Sequence, residues 1–406
     1  MSDSEPRLGN TTEFVSAPIE KWDLATRFYL QSLARELCPD MRVGFCMRHR
    51  QSKNGMVEIR YNEEQKRAWY HGLFRCGASW ICAFCSYQIS EKRREELTRG
   101  IANNLADYTP IMITYTIRHR KGQPLNMLLE KMLDAYRQMK KGRSWYLFKG
   151  ETALIGSVRS LEITHTQNGW HPHIHELMLF PTSHVLDFGP DMPVSIQPGE
   201  EKKARANQWN ESIKSLSDWI ETQLGKFYWL PSLLKVGLSC DLEHGLKTSH
   251  SHKEIVEYIS KWGKPPTNPS RLNGKWSVET ELTKAALKHG RMSGSRTPFE
   301  ILADYGNGDR ESGLLFIEYA GATFGRSQLQ WTPGLKSLLK IEEITDENAA
   351  QLEPEVFEIL AELDVEVWRV ILRSNSRAKL LEIASTGDVE KVYAYLEEIM
   401  INDVAD

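Results

Sequence analysis

The spacing of hydrophobic and polar residues predicts helices and strands that alternate along the chain. Apolar residues recur at helical spacing from Trp22 to Leu37, whereas Pro110 to Ile117 is a β-branched run of strand length. Helical spacing also covers roughly Leu125 to Lys141, Ala204 to Leu224 and His252 to Trp262. This mixture of helices and strands predicts an α+β fold.

A β-hairpin is predicted between the strand-like runs Leu154 to Thr166 and Trp170 to Phe180. The turn between them contains Asn168-Gly169, and Asn-Gly between two strands is a strong short-range hairpin signal. The two runs are therefore expected to pair, so that side chains on one arm face side chains on the other.

Charge is distributed unevenly along the 406 residues, although the formal net charge is only -3. Residues 336–406 carry 7 Lys and Arg against 17 Asp and Glu, whereas residues 1–335 carry 44 against 37. The first part is compatible with a polyanion partner. Helical spacing from Glu353 to Met400 predicts that the acidic part is mainly helical, and we expect it to serve in homo-oligomerisation or partner docking.

No stretch approaches the roughly 18 uninterrupted apolar residues of a membrane helix, and the first thirty residues lack a secretory signal pattern. We therefore expect a soluble cytoplasmic protein with no membrane partner. A disulfide framework is not expected in that compartment.

Four cysteines lie close together in the sequence: Cys46, Cys76, Cys82 and Cys85. Because Zn²⁺ favours thiolates and a CxxC loop brings two sulfurs to one ion, we predict a structural zinc site. His49, in CxxH spacing from Cys46, is a rival fourth ligand, and buried free cysteines or a redox pair are the alternative interpretation. Cys38 and Cys240 are expected to be ordinary core residues. Ser90 is expected to cap a helix that follows the cysteines.

The densest chemical signal is His171-Pro-His173-Ile-His175. On a strand, His173 and His175 share a face while Ile174 points into the core. Glu162, on the other arm of the hairpin, is the expected third ligand of an Mn²⁺ or Mg²⁺ site with positions open for a phosphate. Hydrogen-bonded strand histidines without a metal are the alternative, and His171 is expected at the strand edge or against a phosphate.

A second candidate group lies on the helix predicted at 252–262. Residues three and four apart share a helix face, so Glu254, Tyr258 and Lys261 form one stripe. A tyrosine hydroxyl needs a nearby cation or metal to act as a nucleophile at neutral pH. Tyr-x-x-Lys also occurs by chance, and Glu254 fits equally well as the capping-box partner of Ser251.

The order of these elements resembles the rolling-circle replication initiators of bacterial plasmids and phages, within the HUH endonuclease superfamily. Ile111 to Ile117 is similar to that family's first motif, Gly169 to Leu177 to its second, and Glu254 to Lys261 to its third. The cysteine segment followed by Arg93-Arg94 also resembles many of these initiators. The resemblance covers about residues 46–265, and its second motif is quite specific.

The resemblance implies an HUH endonuclease domain with a central antiparallel β-sheet flanked by helices. A zinc-binding segment would precede this domain and a helical C-terminal region would follow it. The expected segments are a tail and helix at 1–40, the cysteine segment at 41–104, the nicking and ligating domain at 105–297, and the acidic region at 298–406.

The resemblance also implies the chemistry. His173, His175 and Glu162 would hold Mn²⁺ or Mg²⁺ at the scissile phosphate. Tyr258 would attack phosphorus, giving a 5′-phosphotyrosine link and a free 3′-hydroxyl. Glu254 would activate water at termination, and Lys261 would stabilise the developing charge. A single tyrosine on the helix matches the single-tyrosine type of initiator.

The implied partners are single-stranded, hairpin or supercoiled origin DNA, a host helicase and a host polymerase. The residues expected to contact the DNA backbone are Arg93, Arg94, Arg118, Arg120 and His171. The implied location is the bacterial cytoplasm, at the nucleoid or plasmid. Two other functions remain open: an HUH transposase or relaxase, and a zinc-stabilised DNA-binding protein that cleaves nothing.

Overall fold

A computed structural model describes residues 24–104, 106–191, 200–241, 243–249 and 295–405. Contacts among these residues group them into two units. Unit 1 contains the described parts of Met1–Ile89 and Ile344–Asp406 together with Phe299–Ala320. Unit 2 contains those of Ser90–Pro298 together with Gly321–Glu343. Helices and antiparallel sheets occur in both, which confirms the expected α+β class.

The strands form two antiparallel sheets. In chain order they are β1 (Val57–Asn62), β2 (Arg67–His71), β3 (Tyr108–Thr116), β4 (Gly156–Thr166), β5 (Gly169–Pro181), β6 (Leu246–Ser249), β7 (Leu329–Trp331) and β8 (Glu358–Leu363). The sheet of unit 1 has the order β2-β1-β8, and the sheet of unit 2 has the order β6-β3-β5-β4-β7.

The α-helices cover much of the remaining described chain. They are α1 (Leu24–Leu37), α2 (Ala83–Ala102), α3 (Leu125–Met139), α4 (Gly142–Thr152), α5 (Thr182–Leu186), α6 (Glu201–Gln223), α7 (Leu230–Lys235), α8 (Pro298–Gly306), α9 (Arg310–Thr323), α10 (Leu335–Leu338), α11 (Asp346–Gln351), α12 (Val365–Arg373), α13 (Arg377–Ala384) and α14 (Val389–Ala405). A π-helix, Leu224–Trp229, joins α6 to α7, and a 3₁₀ turn spans Arg42–Gly44.

The expected helices near 22–37, 125–141 and 204–224 appear as α1, α3 and α6. Ser90 does not begin a helix as predicted, because α2 already starts at Ala83 and continues through it. Ser90 is 1% exposed, so it lies on the buried side of α2 rather than at a solvated helix end. Within the described residues, no helix is long and apolar enough to cross a membrane.

The unit 2 sheet has two faces of different chemistry, because side chains alternate along each strand. On one face, Tyr115 of β3 packs against Tyr136 of α3 and Trp229 of the π-helix, with ring centroids 5.7 and 5.2 Å apart. Ile174 of β5 is fully buried, as expected. The opposite face carries Thr114 and the histidines of β5.

That opposite face changes from apolar to polar along β5. Leu177 and Leu179 join a buried cluster with Leu97 and Ile101 of α2, and with Leu335 and Leu339 from the C-terminal side of the chain. His175 and His173 continue the same alternating row toward the Gly169 end of β5. The histidines therefore lie next to a hydrophobic core that fixes the strand.

A buried carboxylate supports β5 from the side of the helices. Glu176 is fully buried, accepts a hydrogen bond from Tyr115 Oη at 3.0 Å and pairs with Lys140 at the end of α3. Burial is the main cause, and the nearby Glu176 carboxylate the second, that raises the pKa of Tyr115 well above its ordinary value. The strand that carries the histidines is thus held on one face by packing and on the other by a buried ion pair.

The segment Gly321–Glu343 completes unit 2. β7 pairs with β4 at the sheet edge, and Thr332 Oγ1 accepts a hydrogen bond from the Ser157 backbone N–H at 2.9 Å. Lys336, 4% exposed, donates to Glu96 at 3.2 Å, and Glu96 also pairs with Arg93 at 2.9 Å. Part of the C-terminal region therefore belongs to the sheet rather than to a separate helical region.

Unit 1 joins the two ends of the described chain. β8 pairs with β1 from Val57↔Leu363 to Tyr61↔Glu358, although helical spacing had indicated a helix across this stretch. The sequence Glu-Ile-Leu-Ala-Glu-Leu supplies buried Leu360, Ala361 and Leu363, which suits a short strand beside β1. The C-terminal segment thus completes the sheet of the cysteine segment.

Leu363 and Ile359 test this dependence on β8. Leu363 is 1% exposed and pairs with buried Val57, whereas Ile359 on the same strand is 49% exposed. Leu363→Ala is expected to reduce the stability of unit 1 by about 2–5 kcal/mol, because it leaves a cavity under the sheet. Amide hydrogen exchange of β1 measures this locally. Ile359→Ala is the matched control and should change the stability of unit 1 by about 0.5 kcal/mol or less. Equal losses of stability in the two variants would contradict the packing role of Leu363.

Candidate functional site

The predicted hairpin of β4 and β5 is confirmed. Its pairing closes at Thr166↔Gly169, leaving Gln167 and Asn168 as the two-residue loop. Gly169 has a φ of 92°, a conformation that favours glycine, and a Cβ there would lie 3.2 Å from the carbonyl oxygen of Arg120. This turn fixes the register of both strands, and therefore fixes which residues face each other.

Glu162, His173 and His175 are brought together by that register. Glu162 is directly opposite His173, and its Oε2 lies 2.8 Å from His175 Nε2 and 4.0 Å from His173 Nδ1. One ligand atom from each residue can be chosen so that all lie within 4.8 Å of one another. Two imidazoles and one carboxylate in this arrangement can chelate a divalent cation.

Thr114 orients the His175 ring. The two residues are opposite each other in the β3–β5 pairing, and Thr114 Oγ1 lies 3.1 Å from His175 Nδ1. This contact holds Nε2 toward Glu162, as the outer partner of a metal-binding imidazole does. Sequence reasoning missed Thr114 because its relevance depends on the register between two strands that are distant in sequence.

A row of imidazoles extends from the site. His171 stacks on His119, with centroids 4.2 Å apart, and lies 4.0 Å from the ring of His173. Burial, together with the neighbouring imidazoles, lowers the pKa of His173 to about 3 and that of His171 to about 4. Both rings are therefore neutral near pH 7. His119, which follows β3, was also missed by sequence reasoning.

The arginines expected to contact DNA differ in their burial and in their ion pairs. Arg93 is 8% exposed and pairs with Glu96 at 2.9 Å. Arg94 pairs with Glu91 at 2.6 Å. Arg118 and Arg120 are exposed beyond the end of β3, and Arg118 pairs with Asp241 at 3.2 Å.

The predicted tyrosine helix lies outside the described residues. This applies to Tyr258, Glu254 and Lys261, and to Ser251, its predicted cap. Their roles stay predictions.

The four predicted zinc ligands form a buried cluster in unit 1. Sulfur–sulfur distances are 3.5 Å for Cys46–Cys85, 3.6 Å for Cys46–Cys82 and 3.7 Å for Cys76–Cys85. A tetrahedron of sulfurs about 2.3 Å from a zinc ion has edges of about 3.8 Å. The cluster can therefore hold zinc. The hairpin of β1 and β2 lies between Cys46 and Cys76.

The two remaining expectations for the cysteines can be compared with the cluster. His49 is not a member of it; the His49 ring lies 4.8 Å from that of Phe45, and Cys46 is the fourth residue of the cluster. Cys38 is buried and Cys240 is partly buried, and neither belongs to the cluster. Burial raises the pKa of Cys240 to about 11.

Polar groups surround the sulfurs. The Cys76 backbone N–H donates to Cys46 Sγ at 3.4 Å, and Gln31 Nε2 donates to Cys82 Sγ at 3.4 Å. Arg377, 2% exposed, donates to the Met47 carbonyl oxygen at 3.0 Å and to Gln31 Oε1 at 3.3 Å. The C-terminal segment thus contributes a buried cation beside the thiols.

Comparison with known proteins shows a family similar to the part of the chain that contains the site. Residues 74–187, which include β3, β4 and β5, match the family described as Replication protein. No solved structure matches the chain.

Three relatives share sequence with the chain. "Protein rep" of Streptomyces lividans is 26% identical over 322 residues, which cover 67% of this chain and 65% of the relative. The "Neomycin resistance protein" of Streptomyces cyanogenus is 28% identical, covering 27% of this chain and 31% of the relative. "Protein rep" of Streptococcus pneumoniae is 27% identical, covering 33% and 40%. The chain thus aligns with less than two thirds of the length of each of these relatives.

Proposed function

We propose that the chain is a rolling-circle replication initiator of a bacterial plasmid, which nicks single-stranded origin DNA. The observation that carries this proposal is the placement of Glu162 opposite His173, within 2.8 Å of His175, inside the segment that matches the replication protein family. The names of two relatives, "Protein rep", support it.

The residues present fit a divalent cation. His173 Nδ1 is buried without a hydrogen-bond partner among the described residues, and the low pKa of His173 leaves its ring neutral. His173, His175 and Glu162 would hold Mn²⁺ or Mg²⁺, with Thr114 orienting His175. The bound ion would act as a Lewis acid on the scissile phosphate and as a template for it.

Tyr258 is the proposed nucleophile. Its Oη forms a bond to the scissile phosphorus as the bond from phosphorus to the 3′ oxygen breaks. The phenolic proton passes to solvent, and the leaving 3′ oxygen takes up a proton. The products are a 5′-phosphotyrosine link and a free 3′-hydroxyl, from which a host polymerase can extend.

Lys261 and Glu254, on the helix predicted from the sequence, have separate proposed roles. Lys261 stabilises the negative charge that develops at phosphorus. The Tyr258 linkage ends when the bond from phosphorus to Tyr258 Oη breaks and the leaving phenolate takes up a proton. The attacking group is either a DNA 3′-hydroxyl, which rejoins strands, or a water whose proton passes to Glu254. A host helicase unwinds the supercoiled or hairpin origin, and the protein acts in the cytoplasm at the plasmid.

The cysteine centre has a structural role in this proposal. Cys46, Cys76, Cys82 and Cys85 hold Zn²⁺ and so fix the start of α2 against β2 and α1 in unit 1. The sulfur–sulfur distances support zinc over a redox pair, because all four sulfurs are mutually close.

A covalent DNA adduct tests the nicking chemistry. Protein incubated with mixed-sequence single-stranded DNA and Mn²⁺ is expected to give an adduct that survives SDS on a denaturing gel. The adduct should be abolished by Tyr258→Phe, which removes the nucleophile, and by a chelator, which removes the cation. It should also be abolished by His173→Ala combined with His175→Ala, which removes two ligands of the cation.

Matched controls separate chemistry from folding. Tyr393→Phe and His244→Ala change exposed residues outside the proposed site and should leave the adduct unchanged. No adduct with origin-containing plasmid DNA, from wild-type protein that binds that DNA, would overturn the nicking proposal in favour of a noncatalytic DNA-binding protein.

Zinc content tests the cysteine centre. One zinc per chain is expected by elemental analysis, and Cys46→Ser or Cys82→Ser should lose it and lower the thermal stability of unit 1. Cys38→Ser and His49→Ala are the controls and should retain zinc, because neither side chain belongs to the cluster. Zinc lost with His49→Ala but kept with Cys46→Ser would show that the ligand set is wrong.

A further inference from the structure

Two segments of unit 2 bring basic residues together on a surface away from the histidines, where Glu151 is also near Tyr228. Residues 135–150 and 222–240 contain no Asp or Glu and several Lys and Arg. They meet in space, since Tyr228 Oη donates to the Ser144 carbonyl oxygen at 3.1 Å. The solvent-exposed cations at this meeting point include Arg143, Lys149 and Lys226.

Large aromatic side chains are exposed among these cations. Tyr146 of α4 is 72% exposed and Phe227 of the π-helix is 64% exposed. Neighbouring aromatic residues on the same elements point inward instead: Trp145 is 8% exposed and Trp229 is fully buried. The exposed rings are therefore not the outer part of a core, and their elements are anchored independently of them.

The π-helix supplies a second, independent observation. A single turn of π-helix between two α-helices is rare and is frequently found at functional sites. Here it turns Phe227 toward solvent while Trp229 packs on Tyr115 and donates from Nε1 to the Thr116 carbonyl oxygen at 3.1 Å. The unusual helix thus presents an aromatic ring from a rigidly held position.

This surface lies on the side of the sheet opposite the candidate metal site. Tyr115 faces the layer that contains α3 and the π-helix, whereas the adjacent Thr114 faces His175. A DNA strand at the surface is therefore not the stretch held at Glu162 and the histidines.

Aromatic rings between cations are the features by which proteins hold unpaired bases and their phosphates. Bases stack on the rings, and Lys and Arg contact the backbone, with little sequence preference. Duplex DNA offers its phosphates to cations but keeps its bases stacked on each other. Exposed Tyr146 and Phe227 therefore favour a single strand over a duplex.

We propose that Tyr146, Phe227, Arg143, Lys149 and Lys226, together called the basic-aromatic surface, form a second binding site for single-stranded DNA. The inference rests on the proposed function and extends it, because nicking and unwinding an origin exposes strand beyond the stretch held at the metal site. Bases stack on Tyr146 and Phe227, and the three cations contact phosphates.

Anisotropy of a fluorescent oligothymidine of about 16 nucleotides tests the proposal. The measurement uses full-length protein carrying His173→Ala and His175→Ala, in buffer without added Mn²⁺ or Mg²⁺, so that neither nicking nor the divalent cation contributes. Tyr146→Ala combined with Phe227→Ala is expected to weaken binding about tenfold or more. Replacing Arg143, Lys149 and Lys226 by Gln should lower the slope of log K against log salt by about 0.7 per cation.

The controls use the same unit. Phe324→Ala removes a ring that is 77% exposed elsewhere in unit 2, and Lys214→Gln removes an exposed cation of α6. Both should leave binding unchanged, and Tyr146→Phe should retain it because the stacking ring remains. Circular dichroism of each variant should match that of the parent.

Three results would overturn the inference: unchanged affinity in the double aromatic variant, equal loss with Phe324→Ala, or equal loss on duplex DNA of the same length. The last would indicate contact with the duplex backbone instead. The adduct assay on a short oligonucleotide, run with Tyr146→Ala and Phe227→Ala in otherwise wild-type protein, should still succeed. Failure of that assay in wild-type protein, with oligothymidine binding intact, would remove the nicking proposal and leave this site standing.

Discussion

The pairing of β5 with β3 on one side and β4 on the other is the constraint on which the site depends. Side chains alternate along a strand, so a slip of one residue would move His173 and His175 to the face packed by helices. The tight turn ending at Gly169 and the long pairing with β3 both fix the register. Glu162 and Thr114 reach the histidines only because of it.

The two faces of the same sheet carry different groups, which have different roles. One face carries the polar site beside an apolar cluster, and the other holds Glu176 paired with Lys140 under Tyr115. Removing either partner of a buried ion pair leaves an uncompensated charge, so this pair constrains how the helices pack on β5. Rigid strands are what precise ligand placement requires.

Local signals in the sequence predicted much of the candidate site. The hairpin, the alternation of His173, Ile174 and His175, and the CxxC of Cys82 and Cys85 each lie within a short stretch, and the structure brings their side chains together as expected. Thr114 and His119 could not be found in this way, because their proximity depends on pairing between distant strands. β7 and β8 were missed because short strands at a sheet edge carry little periodicity.

Unit 1 shows how distant parts of one chain depend on each other. A zinc ion bound by four thiolates carries a net charge of −2, and burying it without a cation is unfavourable. Arg377 lies beside Cys46 and binds Gln31, which donates to Cys82. Burial, with Arg48 nearby, lowers the pKa of Arg377 to about 10, while negative charge on Tyr70 or on the Cys46 sulfur acts in the opposite direction. The segment that supplies Arg377 also supplies β8. The entropic cost of closing this long loop is therefore offset by the shared sheet and by the hydrogen bonds that Arg377 donates to Met47 and Gln31. The N- and C-terminal parts of unit 1 therefore fold as one body.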